Sequence, residues 1–454
     1  MTGGRFAFER AGFDALRAAL DRLDEGFARL PAVETAGAAD PAALREVLLE
    51  TATRLTDNFP YFHPLYAGQM LTPPDPVARL AYALATWINP NNHALDGGRA
   101  SSAMEKEAVA GIARMFGWEE FLGHLCGGGT MANLEALWVA GRLAPGRTVL
   151  ASSQAHYTHG RISAVLGLPF EDVPADRNGR LDASALERRL EQGGVGAVGA
   201  TLGTTATGAV DPLPEILRLK ERHGFRLHVD AAYGGYFRLA ENLDPPARAA
   251  FDAIGAADSI VVDPHKHGLQ PYGCGCVLFR DPSVGRLYKH DSPYTYFSSG
   301  DLHLGEISLE CSRPGASAVA LWATMRLLPL ERGGRFAGRL EDSRAAALDL
   351  HARVAADARF LPAFRPELDI VAWLVRAESL SASSARARRV FEEAARRNLH
   401  LALAELPAAF FDLPAAGIAR DRDSVTCLRS VLMKPEHRAW IPSIWSALDA
   451  AAGA

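Results

Sequence analysis

The run LHVDAAYGGY at residues 227–236, followed at residues 257–268 by ADSIVVDPHKHG, decides the fold. Each is a short apolar, β-branched run that ends in polar groups, the pattern of a buried strand delivering chemistry at its carboxyl end. Strands are therefore predicted at residues 226–229 and 259–262, with Asp230 just past the first and His265 and Lys266 just past the second. Working outward, further strands are predicted at residues 148–151, 195–202 and 275–279. Helical spacing falls between them at residues 102–116, 130–140, 183–192 and 213–223. Strands alternating with helices imply a mainly parallel sheet covered by helices.

This pattern divides the chain into three expected parts. Residues 80–335 form a large α/β domain. Residues 336–454, with a charged helix at 384–398 between apolar runs at 370–375 and 425–433, form a smaller α+β domain. Residues 1–79 form an N-terminal segment. It opens on Phe13, Leu16, Leu20, Leu23, Phe27 and Leu30, an apolar stripe at helical spacing that Pro31 ends. A loop and then an irregular aromatic stretch from Asn58 to Pro74 are expected to follow.

Composition narrows the function. The 454 residues are 48% hydrophobic and 22% charged, enough for a large core. The 48 Lys and Arg against 53 Asp and Glu include no basic tract, which argues against nucleic acid as a partner. The apolar window at 316–325 is too short to span a bilayer and runs into Arg326, and MTGGRFAFER carries no apolar leader. Five scattered cysteines do not make a disulfide scaffold, so a reduced, cytoplasmic protein is expected, with Cys274 and Cys276 as core packing.

Four predicted strand ends carry reactive groups: Asp230, His265 with Lys266, Thr204 with Thr205, and His156 in SSQAHYTHG. Before them, CGGGTMANLEAL at residues 126–137 places a glycine run at a helix start, where backbone N–H groups and the helix dipole favour an anion. No Lys follows these glycines, so they are not a P-loop. A lysine at a buried strand end is suited to forming an imine. An imine-forming lysine, a buried carboxylate, an anion cradle and a flat imidazole together match the needs of pyridoxal 5'-phosphate: an amine for its aldehyde, an acid for its ring nitrogen and a site for its phosphate.

The same residues resemble the group II pyridoxal-dependent amino-acid decarboxylases, which share the aspartate-aminotransferase fold, fold type I. The matching pieces, in order, are CGGGTMANLEAL, SSQAHYTHGRIS, ATLGTTATGAVDPL, LHVDAAYGGY, ADSIVVDPHKHG and LRSVLMKP, and they run from Cys126 to Pro435. The resemblance implies a seven-stranded, mainly parallel sheet with a small C-terminal α+β domain. It implies that Lys266 carries the cofactor as an imine, that Asp230 holds the ring nitrogen protonated and that His156 stacks on the ring. Thr205 would sit near the ring's hydroxyl edge, and Gly129, Thr130, Ser259 and His265 would line the phosphate site. Arg429 matches an arginine on the small-domain side of the substrate cleft, and Tyr294 or Tyr296 would supply the proton donor. A homodimer with shared active sites is also implied, with Arg313 as either a contributor to the neighbouring site or a structural ion pair.

Some readings stay open at this level. Asp263, beside the expected phosphate site, is a repulsive carboxylate unless it is turned away or protonated. Its context, DPHKHG, looks most like prokaryotic tyrosine or aspartate decarboxylases, so the substrate is an aromatic or an acidic L-amino acid. Tyr61, Phe62, His63, Tyr66 and Trp87 are candidates for a pocket wall or for packing, with His63 and Tyr66 the foremost substrate contacts. A carbon–carbon lyase, an aldehyde-forming decarboxylase and an aminotransferase compete within the same cofactor class. A cofactor-free binding protein competes outside it, as does a metal site at His265 and His267, although no acidic partner has matching spacing.

Overall fold

The computed structural model of the chain describes residues 9–31, 40–289 and 302–453. Among them, seven strands form one sheet: β1 (Leu122–Cys126), β2 (Thr148–Ser152), β3 (Phe170–Val173), β4 (Val195–Thr201), β5 (Arg226–Asp230), β6 (Ser259–Val262) and β7 (Gly275–Phe279). The order is β1-β7-β6-β5-β4-β2-β3, and only β7 runs against its neighbours. This is the mainly parallel sheet that the alternating pattern predicts. Every residue of β4, β6 and β7 is buried, which is why these strands read as continuous small or apolar runs rather than as alternation.

Two strands of this sheet escaped the sequence reading. β1 carries His124 in a short LGHLC, and β3 is an edge strand whose central Glu171 and Asp172 are exposed. Neither shows the β-branched density that marks the central strands.

Four antiparallel strands make a second sheet: β8 (Phe360–Pro362), β9 (Ile370–Val375), β10 (Ala402–Pro407) and β11 (Ser424–Val431), in the order β10-β11-β9-β8. Helices Arg335–Ala356, Leu380–Arg396 and His437–Ala452 cover it, and Trp373 at its centre is fully buried among their apolar faces.

The N-terminal region departs from expectation. Of the stretch expected as a loop after the first helix, Glu9–Phe27, residues 32–39 lie outside the described residues and the rest holds a second helix, Pro41–Leu55. Its start is set by Asp40, whose side chain accepts the Ala42 N–H at 3.0 Å, with Pro41 at the first helical position. That helix buries no residue, and Val47 and Leu48 are each 59% exposed. A third helix, Pro76–Thr86, packs against both the first helix and the helix Gly315–Leu327. Among the described residues, no helix is long and apolar enough to cross a membrane.

Candidate active site

The carboxyl ends of β4, β5 and β6 open onto a cavity of about 490 Å³. Its lining brings together Gly129, Thr130, His156, Thr205, Asp230, Asp263, His265 and Lys266, all named from sequence, with Asn133, Tyr233 and Glu310 added. Asp230 is the last residue of β5, and Asp263 follows β6 directly. In a parallel sheet such ends share one edge, so residues distant in sequence meet there.

The lysine-bearing turn is fixed by the backbone. The Lys266 N–H donates to the Asp263 carbonyl at 2.9 Å, and the His265 N–H donates to the Cys274 carbonyl at 3.1 Å. Lys266 Nζ lies 2.9 Å from Asp263 Oδ2, and His265 Nε2 lies 3.5 Å from the same oxygen. The repulsion expected of Asp263 is thus met by a cation within hydrogen-bond reach. Burial holds the His265 imidazole below its ordinary pKa, with the Asp263 charge pulling the other way.

Packed against this turn, helix Gly129–Leu143 begins without a side-chain cap, and its first residues line the cavity. The preceding Gly128 has φ +143°, a conformation that L side chains rarely adopt. A β-carbon on Gly129 would stand 2.8 Å from Asp263 Oδ2, and one on Gly275 would stand 2.5 Å from the Gly128 Cα. The glycines are required by close approach of three segments, and the result is a backbone cradle suited to an anion. Glu310 Oε2 accepts the Gly127 N–H there, at 3.0 Å.

His156 sits just before helix Thr158–Leu166, half-buried, with Nδ1 2.7 Å from Thr158 Oγ1. Burial lowers its proton affinity, partly offset by Asp230, which favours a neutral, flat ring. Asp230 is 4% exposed. Burial alone would raise its pKa, but the hydrogen bond from His159 and the electrostatic influence of the neighbouring His159 and Lys266 hold it well below the usual carboxylate range.

Several expectations are corrected. Ser259 does not reach the cavity: it opens β6, at the far end of the strand from Asp263, and its Oγ bonds His228 Nδ1 at 2.9 Å. His63 packs edge-on against Trp440 at 4.8 Å, and Tyr66 is buried against Tyr61 at 4.9 Å. Neither lines the cavity, because the segment that carries them folds onto the small sheet, where the Ala67 N–H donates to the His400 carbonyl. Trp87 is 61% exposed. Arg429 is also outside the lining; its guanidinium donates to the carbonyls of Thr205 at 2.7 Å, Ala206 at 3.0 Å and Gly68 at 3.2 Å. It ties β11 to the loop after β4. Arg313 forms a buried ion pair with Glu105 at 2.9 Å, the structural alternative. His265 and His267 diverge, the first beside Gly128 and the second 3.2 Å from Asp369. Tyr294 and Tyr296 lie outside the described residues.

The residues missed from sequence sit beneath Asp230: Asn133, His159 and His228. Each had a signal. His228 is two residues before Asp230 on one strand and so shares its face. Asn133 lies one helical turn past Gly129, and His159 closes the AHYTH run three residues after His156.

A lysine amine, an ionised buried acid, a flat imidazole and an anion cradle around one cavity fit pyridoxal phosphate, with the glycine cradle, which a single β-carbon would fill, as the most restrictive feature. Comparison with known proteins agrees. The family model described as pyridoxal-dependent decarboxylase conserved domain matches residues 141–376, a span that includes His156, Asp230 and Lys266. The chain is 28% identical over 391 residues to an L-tyrosine decarboxylase from Enterococcus faecium, covering 64% of each protein. Over 262 residues it is 30% identical to a probable L-tyrosine/L-aspartate decarboxylase from Methanothermobacter thermautotrophicus, covering 57% of this chain and 70% of the relative. The chain therefore spans just under two thirds of the first relative and somewhat more of the second. The crystal structure of Oryza sativa TDC with PLP and tryptamine has the same fold, with a TM-score of 0.78 at 19% identity over 97% of this chain and 98% of that one.

Proposed function

Because the chain belongs to the pyridoxal-dependent decarboxylase family, we propose that it uses pyridoxal 5'-phosphate to convert an L-amino acid into the corresponding amine and carbon dioxide. When bound, this cofactor supplies an aldehyde that condenses with amines and a ring that accepts the electron pair left by a departing carboxylate. The observation that carries the reading is that Lys266 and Asp230 line the same cavity, facing the glycine cradle.

Each residue then has a defined task. Lys266 offers its Nζ, held 2.9 Å from Asp263, as the amine that anchors the aldehyde and that an amino acid displaces. Asp230 keeps a negative charge against the ring nitrogen, which favours the protonated, electron-accepting form. His156 offers a flat neutral ring for stacking. The uncapped amides around Gly129 and Thr130 hold the phosphate, with His265 alongside, and Thr205 stands at the rim near Tyr233. Tyr294 or Tyr296 remains our candidate for the group that returns a proton to the substrate carbon.

Among the described cavity residues, Lys266 is the one Lys or Arg, and Arg429 spends its donors on carbonyls. That favours losing the substrate carboxylate over clamping it, as an aminotransferase must. The substrate class we assign is aromatic or acidic, tyrosine and aspartate being the first to try. The exposed apolar faces of the two N-terminal helices, with Phe13 at 61% and Leu48 at 59%, support a homodimer in which a second copy covers them.

The test is spectroscopic and then catalytic. Purified protein with added pyridoxal phosphate is expected to show a visible band that borohydride bleaches and that Lys266→Ala abolishes. Carbon dioxide release is then measured across the common amino acids. Release with an amine as product supports the proposal; an aldehyde product, carbon–carbon cleavage or keto-acid formation replaces it with one of the neighbouring chemistries. A colourless protein indifferent to pyridoxal phosphate refutes it.

A further inference from the structure

Asp230 is held by more donors than a buried carboxylate needs to stay in place. Its Oδ2 receives two side-chain hydrogen bonds, from Asn133 Nδ2 at 3.1 Å and from His159 Nε2 at 3.0 Å, and its Oδ1 receives the Ala232 N–H at 3.1 Å. Behind Asn133 the chain continues: Asn133 Oδ1 lies 2.7 Å from His228 Nε2, and His228 Nδ1 lies 2.9 Å from Ser259 Oγ. All of these side chains are buried.

Hydrogen-bond logic gives this chain one direction. An ionised carboxylate only accepts, so Asn133 turns its amide nitrogen to Asp230 and its oxygen to His228. His228 must then carry its proton on Nε2, which leaves Nδ1 to accept from the Ser259 hydroxyl. Burial, reinforced by His159, pushes the His228 pKa down to about 3, so that ring remains neutral and keeps this tautomer. Likewise His159 must carry a proton on Nε2. Among the described residues its Nδ1 has no hydrogen-bond partner, so the proton belongs on Nε2, where Asp230 accepts it. Every donor points towards the acid, and aligned donors of this kind polarise one another.

We propose that His159 is a positioning residue which, together with the Ser259–His228–Asn133 chain, keeps Asp230 ionised and fixed, and so sets the protonation of the cofactor's ring nitrogen and the affinity for pyridoxal phosphate. This rests on the role given to Asp230 under Proposed function. It also gives Ser259 a function different from phosphate contact, as the outermost donor of the chain.

The test compares two ligands, pyridoxal phosphate and its analogue with carbon in place of the ring nitrogen, both titrated into the full-length protein by their absorption bands. His159→Phe keeps a planar ring and removes the donor, whereas His159→Gln returns an N–H at similar reach. The phenylalanine variant is expected to bind pyridoxal phosphate about tenfold or more weakly, hydrogen bonds to charged groups being the strong ones, and to bind the analogue within about twofold of wild type. The pH at which its bound cofactor changes colour is expected to move, and glutamine is expected to restore most of both properties. Ser259→Ala, a small change that leaves the fold intact, is expected to weaken pyridoxal phosphate about twofold to threefold and the analogue not at all. Unchanged pyridoxal phosphate binding in His159→Phe, or equal weakening of both ligands, overturns the proposal. If His159→Phe fails to fold, Ser259→Ala decides: weaker pyridoxal phosphate binding with an unaffected analogue supports the proposal, and no change in either ligand or equal weakening of both overturns it. Wild-type protein that develops no band with pyridoxal phosphate overturns the reading of the whole site, whereas normal wild-type binding with unaffected variants overturns this inference alone.

Discussion

The floor of the cavity and the rim of the chain are built on opposite plans. The floor is made from strand ends, and its side chains answer one another: Asp230 with His159 and Asn133, and Lys266 with Asp263. The rim is made from helices Glu9–Phe27 and Pro41–Leu55, whose Phe13, Val47, Leu48 and Leu55 are all more than half exposed. Polar groups can be satisfied within one chain because hydrogen bonds are local and directional. Apolar area needs a surface to cover it, and these helices find little of one in their own chain. The polar contacts of the floor are thus made within the one chain, and the proposed homodimer would bury the apolar faces of the N-terminal helices.

The strongest way to break this contrast is at the floor. Lys266→Ala is expected to abolish the borohydride-sensitive band and to lower carbon dioxide release by about 10⁴-fold or more, as for other covalent nucleophiles. Asp230→Asn keeps the shape and removes the charge. It is expected to cost roughly 10²- to 10³-fold in kcat, measured with saturating cofactor, with a smaller effect on KM. At the rim, Leu48→Glu is expected to weaken self-association by about 100-fold in sedimentation, through a charge placed against apolar surface, while its visible band on adding cofactor persists. A wild-type monomer at micromolar concentration would contradict the rim half of the comparison.

Acidity sharpens it further. His228 and His437 are buried, and desolvation takes each pKa from an ordinary 6.5 down to about 3. Between those values the unfolded chain binds a proton that the native state refuses, so stability falls as the pH drops through this window. Each histidine is expected to cost about 2 kcal/mol at pH 5 relative to neutral pH. His437→Asn keeps an acceptor for the Lys434 N–H, which lies 3.2 Å from His437 Nδ1, and is expected to flatten the acid limb of the urea-unfolding profile. The smallest effect is reserved for His63→Ala. Loss of its edge-on contact with Trp440 is expected to cost about 1 kcal/mol in thermal unfolding and to leave KM within about twofold. A tenfold change in KM would return His63 to the substrate site.

How much of this was legible in the sequence follows from the same physics. β6 and β7 and the helix Leu213–His223 have the bounds that the pattern predicts, because fully buried strands and capped amphipathic helices write their boundaries into composition. The residues at strand ends were legible for a topological reason: parallel strands deliver their last residues to one edge. Ser259 misled because it begins its strand rather than ending it, and a flanking serine carries no mark of which end faces a ligand. Arg429 misled because an arginine's charge is visible in sequence, whereas the carbonyls that consume its donors, those of Thr205, Ala206 and Gly68, come from distant loops. The helix Pro41–Leu55 was missed although Asp40 and Pro41 announce it, since the small residues before it outweighed a two-residue cap.

The contact between Gly128 and Gly275 carries a lesson for anyone who wishes to redirect this protein. A side chain at position 275 would run into backbone at 2.5 Å, so the cradle wall tolerates no sampling there without prising β7 from its neighbour. A randomised library aimed at that wall would return mostly unfolded clones. New selectivity has to be sought at lining positions that already carry a side chain, such as Thr205 and Tyr233.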